Sequence, residues 1–430
     1  MARVLVLGGY GFIGGEIVRA LVAEGFEVAG LGRDADLGQR LLPGAEWIGA
    51  DIAMLKTPES WAKIVAGAEA IVNAAGALQD GARDHLAAIH DVAIRACIAA
   101  AERAGVKAFV QISAPGAGRS ASTAFLRTKA EGDAGLRASG LDWIIFKPGL
   151  VIGCNAYGGT ALLRMLAAFP LVQPLVLSEA RVQTVAIDDV ADAVASALKG
   201  EVPMRADYDL VEDEAHSLRD IVGAFRGWLG FRKTMDIDLP RWAGAGAAFL
   251  ADLAGLCGWR SALRSTALQV ISENVIGDAG PWRRARGRAL KSLDETLAAM
   301  PATAQERIYA RLQLLAPLIV AVLSAFWIAS GVIGITEREA GAAHLSAFDA
   351  GLAMGLVVAG GFIDILIGAG LLWRPSAKPA AVASALVAFG YLLIGTVLAP
   401  ELWADPLGAY VKVIPAIALS AALALLLQER

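Results

Sequence analysis

Two short stretches carry residues whose types and spacing can do chemistry. In "VLVLGGYGFIGGEIV" (Val4–Val18), Gly8, Gly11 and Gly14 form a GxxGxxG between an apolar run and a helical pattern, with Phe12 and Ile13 inside it. The first glycine allows a tight turn, the second lets a pyrophosphate approach backbone, and the third lets the helix pack on the strand while its N–H groups face the phosphates. In the second stretch, "TAFLRTKAEGD" (Thr123–Asp133), Lys129 stands in an aromatic-xxx-lysine whose aromatic is Phe125. Phenylalanine has no proton to give.

A nucleotide loop needs alternating strands and helices to hold it. Val4–Leu7, Phe26–Leu31, Ala70–Asn73, Ala108–Ile112 and Trp143–Phe146 are short apolar runs bounded by glycine, proline or charge, and patterns such as Glu16–Glu24 and Ala82–Ala104 between them are helical. This alternation predicts right-handed βαβ units and an α/β fold with a doubly wound parallel sheet over the first ~150 residues. Val182–Leu198 predicts a strand entering a helix through acidic caps, and Tyr208–Val222 another strand and helix, which together make a small substrate-side lobe over residues 151–300. The second strand ends "AGLGRDAD", with Gly32 where a carboxylate would bond the ribose 2′-hydroxyl of NAD, followed by Arg33. Arg33 offers a fork of donors for a 2′-phosphate, so NADP(H) is favoured over NAD(H). The competing reading leaves Arg33 solvated and gives NAD to Asp34 or Asp36.

The hydrophobic fraction of 56% and mean hydropathy of +0.55 place part of the chain in lipid. Four apolar spans fall at about 312–335, 350–373, 379–399 and 407–427, each near the ~20 residues that cross a bilayer. They predict an all-α four-helix transmembrane bundle within a domain at 308–430. Arg307, Arg311, Arg374, Lys378 and Arg430 flank one side, while Glu337, Glu339, Glu401 and Asp405 flank the other with Arg338 alone among basic residues. Basic loops stay inside, so both termini are expected in the cytoplasm, and Trp327, Trp373 and Trp403 are candidates for an aromatic belt. Asp364, near the middle of the second span, is either a functional acid or a hydrogen-bonded one between helices, helped by Lys412. Pro240–Trp259, flanked by Arg260 and Arg264, is either a helix in the membrane interface or a lobe helix packed on the sheet.

Other classes fall away. A net charge of −4 with no concentrated basic face gives no ground for nucleic acid. Cys97, Cys154 and Cys257 lie far apart without CxxC or Cys/His spacing, so neither a disulfide framework nor a metal site is supported. His85, His90, His216 and His344 are isolated and expected in surface or capping roles. The apolar run after Met1 is too short for a secretory signal and reads as a buried strand.

"LGGYGFIG", "GADI" (49–52), "NAAG" (73–76), Ser113 after a strand, Phe125 with Lys129, "KPGLVIG" (147–153) and "VAIDDVADAV" occur in the order and at the spacing of the extended and atypical short-chain dehydrogenase/reductases, which residues 2–225 resemble. Within them, "FLRTKAEGD" and "IIFKPGLVIG" resemble the branch containing the NADPH-binding accessory subunit of respiratory complex I. The tail resembles DoxX-like membrane proteins, and the junction "ARLQLLAPLIVAVLSAFWIASGVIG" is similar to that of bacterial proteins fusing the two. The resemblance implies a Rossmann domain in which Asp51 and Ile52 lie near adenine, Ala74, Ala75 and Gly76 along a ribose, and Pro148, Leu150 and Val151 against the nicotinamide. It also implies a serine that polarises a carbonyl (Ser113), a tyrosine that protonates the alkoxide, and a lysine that holds the nicotinamide ribose (Lys129). Phe125 takes the tyrosine place; Tyr157, just past residues 148–151, either supplies a substitute proton or, as expected, packs in the lobe.

Three functions are compatible: a membrane-anchored NADP(H)-binding protein with little carbonyl-reductase activity that serves a membrane redox assembly, an oxidoreductase using a quinone-like acceptor, and a redox-responsive regulator of the bundle. All three expect a bacterial-type inner membrane.

Overall fold

The computed structural model describes residues 2–81, 85–259, 261, 263–406 and 408–427. Arg260, Arg430, the first residues of the 82–104 pattern and the first residue of the 407–427 span lie outside the described residues. The chain forms two compact units, Met1–Asp252 with Ser261–Ala310, and Leu253–Arg260 with Arg311–Arg430.

In the first unit the strands are β1 (Arg3–Leu7), β2 (Glu27–Gly32), β3 (Glu46–Gly49), β4 (Ala70–Asn73), β5 (Ala108–Ile112), β6 (Asp142–Pro148), β7 (Leu150–Ile152), β8 (Val172–Leu175), β9 (Arg181–Val182), β10 (Thr184–Ala186), β11 (Ala206–Leu210), β12 (His216–Ser217) and β13 (Met235–Asp238). The helices that matter below are α1 (Phe12–Ala23), α2 (Ala35–Leu41), α3 (Pro58–Val65), α4 (Ala93–Ala104), α5 (Ala124–Arg137), α6 (Gly159–Ala167), α7 (Ile187–Leu198), α8 (Leu218–Trp228) and α9 (Arg241–Leu256). Seven strands pair in parallel in the order β11-β6-β5-β4-β1-β2-β3. Successive side chains of a strand point to opposite faces, so Val4, Val6, Val72 and Val110 enter one core while Leu5, Leu7, Ile71 and Phe109 enter the other. Burial on both faces explains why these strands read as unbroken apolar runs.

Three local differences from the sequence pattern have simple causes. β3 has no apolar run to announce it, because it is a four-residue edge strand with exposed ends. β11 belongs to the main sheet, paired with β6, although the sequence pattern assigned it to the lobe. The acidic residues Asp188 and Asp189 lie in the first turn of α7 and pair with Lys291, and no side chain caps that helix.

The lobe is tied to the sheet through Glu212, 1% exposed, which accepts hydrogen bonds from Thr184 N–H (2.9 Å), Thr184 Oγ1 (2.5 Å) and Leu293 N–H (2.8 Å) and pairs with His216 Nε2 (3.0 Å). The neighbouring Gln183 carbonyl accepts from Leu150 N–H, which places the chain just beyond β6.

Among the described residues three helices are long and apolar enough to cross a membrane, Ala304–Thr336, Ala350–Leu372 and Arg374–Leu398, and from Arg311 onward they belong to the second unit. The fourth expected span is a 14-residue helix, Val413–Leu426. Pro415, which lacks an N–H, lies in its first turn, and Gly408 precedes it at φ +66°. Helices one and two approach closely at glycines: a Cβ on Gly331 would lie 2.4 Å from the Gly361 carbonyl. Trp327 is buried and donates to Ser384 Oγ (2.6 Å), so it packs inside and does not join a belt, whereas Trp373 is exposed at a helix end. Asp364 accepts from Ser330 Oγ (2.8 Å) and Tyr391 OH (3.1 Å), while Lys412 is exposed at the start of the fourth helix and does not assist it.

Glu212→Ala leaves several buried donors unpaired, each worth about 1–3 kcal/mol. Thermal unfolding of the detergent-purified full chain is expected to shift down by several degrees, and an unchanged transition would remove Glu212 as the tie.

Candidate functional site

The seven parallel strands end on one edge, and the chain beyond β1 to β6 carries the sequence candidates: Gly8, Arg33, Asp51, Ala74–Gly76, Ser113 and Pro148. Between β1 and β4 the connections diverge, which is where open α/β sheets bind ligands.

Gly8 turns the chain at φ +71°, and a Cβ there would lie 3.0 Å from Ala75 Cα. Gly11 N–H donates to the Gly8 carbonyl (2.9 Å), and a Cβ on Gly14 would strike that carbonyl oxygen at 2.2 Å. Gly11 is the N-cap of α1 and supplies no side-chain bond, so the helix N-terminus keeps backbone donors for a ligand. Phe12 and Ile13 open the helix. These features fit a dinucleotide pyrophosphate.

At the end of β2 the space beside Gly32 is filled: a Cβ would lie 2.1 Å from Tyr10 Cε1, and Tyr10 OH accepts from Asp34 N–H (3.0 Å). Asp34 Oδ1 caps α2 by accepting from Leu37 N–H (2.9 Å). Thus Asp34, one of the two carboxylates available to an NAD reading, already serves a helix terminus, and Gly32 makes room for Tyr10. Asp51 Oδ1 accepts from Ala53 N–H (3.1 Å), opening the short turn that buries Ile52.

The Ala74–Gly76 loop is held at both ends. Asn73 Oδ1 accepts from Ala75 N–H (3.1 Å) while its amide donates to Gln111 (2.9 Å). His90 Nε2 accepts from Ala77 N–H (3.1 Å), which leaves the Nδ1 proton for Thr128 Oγ1 (2.9 Å) on α5. Lys129 Nζ donates to the Ile112 carbonyl (2.8 Å), and a Cβ on Gly76 would lie 3.3 Å from both Lys129 Nζ and His90 Nε2. The structure therefore brings Lys129 to the loop.

Ser113 Oγ donates to buried Asp133 Oδ2 (2.5 Å), one turn beyond Lys129 on α5. Burial pushes the Asp133 carboxyl up, against the Ser113 bond and the charge of Lys129. Burial also brings Lys129 down to about 8, with Asp133 opposing. Phe125, half-buried, meets the His90 ring edge-on with centroids 5.8 Å apart. Tyr157 is half exposed and stacks on Phe12 (5.9 Å, 21°), so it lies on the nucleotide-loop helix and is not packed within the lobe. Pro148 ends β6, and Leu150 and Val151 enter β7, where Gly149 is pressed against the Gln183 carbonyl.

Sequence reasoning missed His90 and Asp133. His90, expected in a surface or capping role, is 1% exposed; only tertiary packing buries it. Asp133 had a readable signal, its i+4 spacing from Lys129 on one helix face.

The strand order, glycine turn and uncapped helix define a dinucleotide-binding domain. Residues 8–201 match the NAD(P)H-binding family and residues 324–421 the DoxX-like family, so the chain joins an NAD(P)-binding Rossmann domain to a DoxX-like domain. An uncharacterized chloroplast protein of Arabidopsis thaliana is 31% identical over 113 residues, 26% of this chain and 36% of that protein, so the match spans about a third of that relative. Similar solved structures include the Citrobacter sp. triphenylmethane reductase complexed with NADP(H) (TM-score 0.54, 18% identity, covering 70% of this chain and 100% of that one). The Escherichia coli NADPH-dependent quinone oxidoreductase complexed with NADPH is also similar (TM-score 0.53, 18% identity, 69% and 98%). So is the Bordetella bronchiseptica enzyme WbmH in complex with NAD⁺ (TM-score 0.53, 18% identity, 72% and 98%). At these identities the likeness is one of fold.

Burial, and secondly the charge of Lys129, brings His90 down to about 2 from an ordinary 6.5. Below pH 6.5 the unfolded chain takes up a proton that folded His90 refuses, so this residue lowers stability by about 1.4 kcal/mol per pH unit as pH falls. His90→Gln is expected to flatten that part of the stability profile; an identical slope in the variant would contradict the buried neutral histidine.

Proposed function

We propose that this chain is a membrane-anchored NADP(H)-binding protein of reductase fold in which carbonyl reduction is weak or lost. It serves as an accessory or assembly factor of a membrane redox system such as a respiratory complex. The observation that carries this is Phe125. It occupies the place of the proton donor, and His90, whose ring meets it, offers no replacement because both its nitrogens are engaged. The Ser113 hydroxyl also donates its hydrogen bond to Asp133. When bound, the nucleotide supplies a hydride. Lys129 then holds the ribose, the α1 N-terminus and glycine turn hold the pyrophosphate, and Arg33 reads the 2′-phosphate.

The positive-inside pattern favours a bacterial inner membrane with the nucleotide domain and C-terminus in the cytoplasm. A second reading is hydride transfer to a quinone-like acceptor. It is supported by three membrane-long apolar helices on the same chain and by a fold neighbour that is an NADPH-dependent quinone oxidoreductase.

Titration of the nucleotide-stripped full chain, followed by cofactor fluorescence, is expected to show tighter binding of NADPH than of NADH without consumption. Arg33→Ser should cost about tenfold in NADPH affinity and little for NADH, as loss of a charge-assisted contact would. Equal losses for both nucleotides would reject Arg33 as the phosphate reader.

Phe125→Tyr is expected to raise carbonyl reduction by about 10² to 10⁴, the usual contribution of a general acid. Steady NADPH oxidation by the unaltered protein with a quinone would replace the first reading by the second.

A further inference from the structure

Helix α9 is amphipathic in the wrong sense for a helix surrounded by water. Trp242, Gly246, Phe249, Leu250, Leu253 and Leu256 are all exposed, with Trp242 at 77% and Leu256 at 76%. At 100° per residue they occupy an arc of about 120°. The buried face carries only small residues, Gly244, Ala248 and Gly255. A Cβ on Gly244 would lie 2.7 Å from Val176, so the helix cannot roll to hide its large side chains. Its charges avoid the stripe: Arg241 stands at the N-terminus, and Asp252 is engaged by Gln79 (3.2 Å), Arg264 (3.3 Å) and Ser265 N–H (3.4 Å). A contiguous apolar stripe without charge marks an interaction surface.

The chain just after α9 identifies the occupant. Trp259 Nε1 donates to the Leu372 carbonyl (2.7 Å), Arg374 N–H donates to the Cys257 carbonyl (2.9 Å), and the Arg374 guanidinium lies over the Trp259 ring (5.5 Å). These contacts fix Cys257–Trp259 to the connection between two helices of 23 and 25 residues, each long enough to cross a bilayer. Such a connection sits where hydrocarbon gives way to headgroups, and Trp259 and exposed Trp373 are residue types that favour that level. We propose that α9 lies in the plane of the bilayer interface, its Trp242–Leu256 stripe inserted among lipid headgroups and upper acyl chains. The stripe holds no Lys or Arg, so insertion is driven by apolar burial and not by anionic lipid.

Gly246 gives a direct test, since a Cβ there meets nothing within 4 Å. The full chain carrying Gly246→Cys, with Cys154→Ser and Cys257→Ala, is labelled with an environment-sensitive fluorophore and reconstituted into phosphatidylcholine vesicles. A matched Gly223→Cys protein reports an exposed, open position on α8. The label at 246 is expected to be quenched by shallow spin-labelled lipid and to be about threefold or more less accessible to iodide than the label at 223. Equal iodide access at both sites would place the stripe in water. Shielding from both iodide and lipid would mean that protein, a second copy or a partner, covers it. Either result overturns the proposal. Leu250→Cys, labelled in the same way, repeats the measurement if the first variant fails to purify as a folded protein.

Discussion

The nucleotide edge depends on one backbone contact. Gly8 leaves β1 in the left-handed region, and a Cβ on it would meet Ala74 and Ala75 at 3.0–3.2 Å, so the turns after β1 and β4 come close before they diverge. Any side chain at Gly8 would separate them and would also adopt a φ that L residues avoid. Gly14 completes the constraint from the other side, because α1 can approach only when nothing stands between it and the Gly8 carbonyl. The helix N-terminus is thereby aimed at the point where the sheet order reverses, and its free donors follow from that placement.

The second layer is a set of buried polar pairs, Asn73 with Gln111, His90 with Thr128, Lys129 with the Ile112 carbonyl and Ser113 with Asp133, while Gln111 Nε2 and Asp133 Oδ1 are buried without a partner. Polar groups this far from water are costly unless paired, and the bonds from Ala75 N–H to Asn73, from Ala77 N–H to His90 and between His90 and Thr128 tie the Ala74–Gly76 loop to α5. The same economy restricts chemistry. A lysine bonded to a carbonyl, a serine bonded to a carboxyl and a histidine bonded at both nitrogens are well placed to hold a shape. Lys129 keeps N–H donors beyond the one given to the Ile112 carbonyl, as holding a ribose requires, whereas the Ser113 hydroxyl and both His90 nitrogens are already engaged. Phe125 against His90 extends this logic, since an aromatic ring without a hydroxyl packs there with no further partner to satisfy.

Much of this was legible in the sequence, for physical reasons that differ from element to element. Strands buried on both faces announce themselves as apolar runs, so β1, β4 and β5 were readable to within a residue of their ends. β3 is an edge strand with exposed ends, and β11 joins a sheet whose nearest strand, β6, lies some sixty residues earlier; neither pairing leaves a local mark. The glycine turn was readable because only glycine meets its steric demands. His90 was not, because nothing in its own neighbourhood states that α5 will cover it. Composition could find α9 but could not say which face it buries: its alanines and glycines pack inward while its large residues point out, the reverse of the usual pattern.

The membrane unit follows a parallel rule. Asp364 reads as an isolated acid in an apolar run, yet Ser330 and Tyr391 reach it from two neighbouring helices, and its helix crosses its partner where Gly361 meets Gly331. In hydrocarbon no hydrophobic force pulls helices together, so close glycine contacts and shared hydrogen bonds must specify the packing. An acid bonded by two helices fixes their register, since a shift of one residue would turn the carboxylate toward lipid, where it has no partner. Helix packing thus accounts for the burial of Asp364, as the steric demands at Gly8 and Gly14 account for the glycine turn.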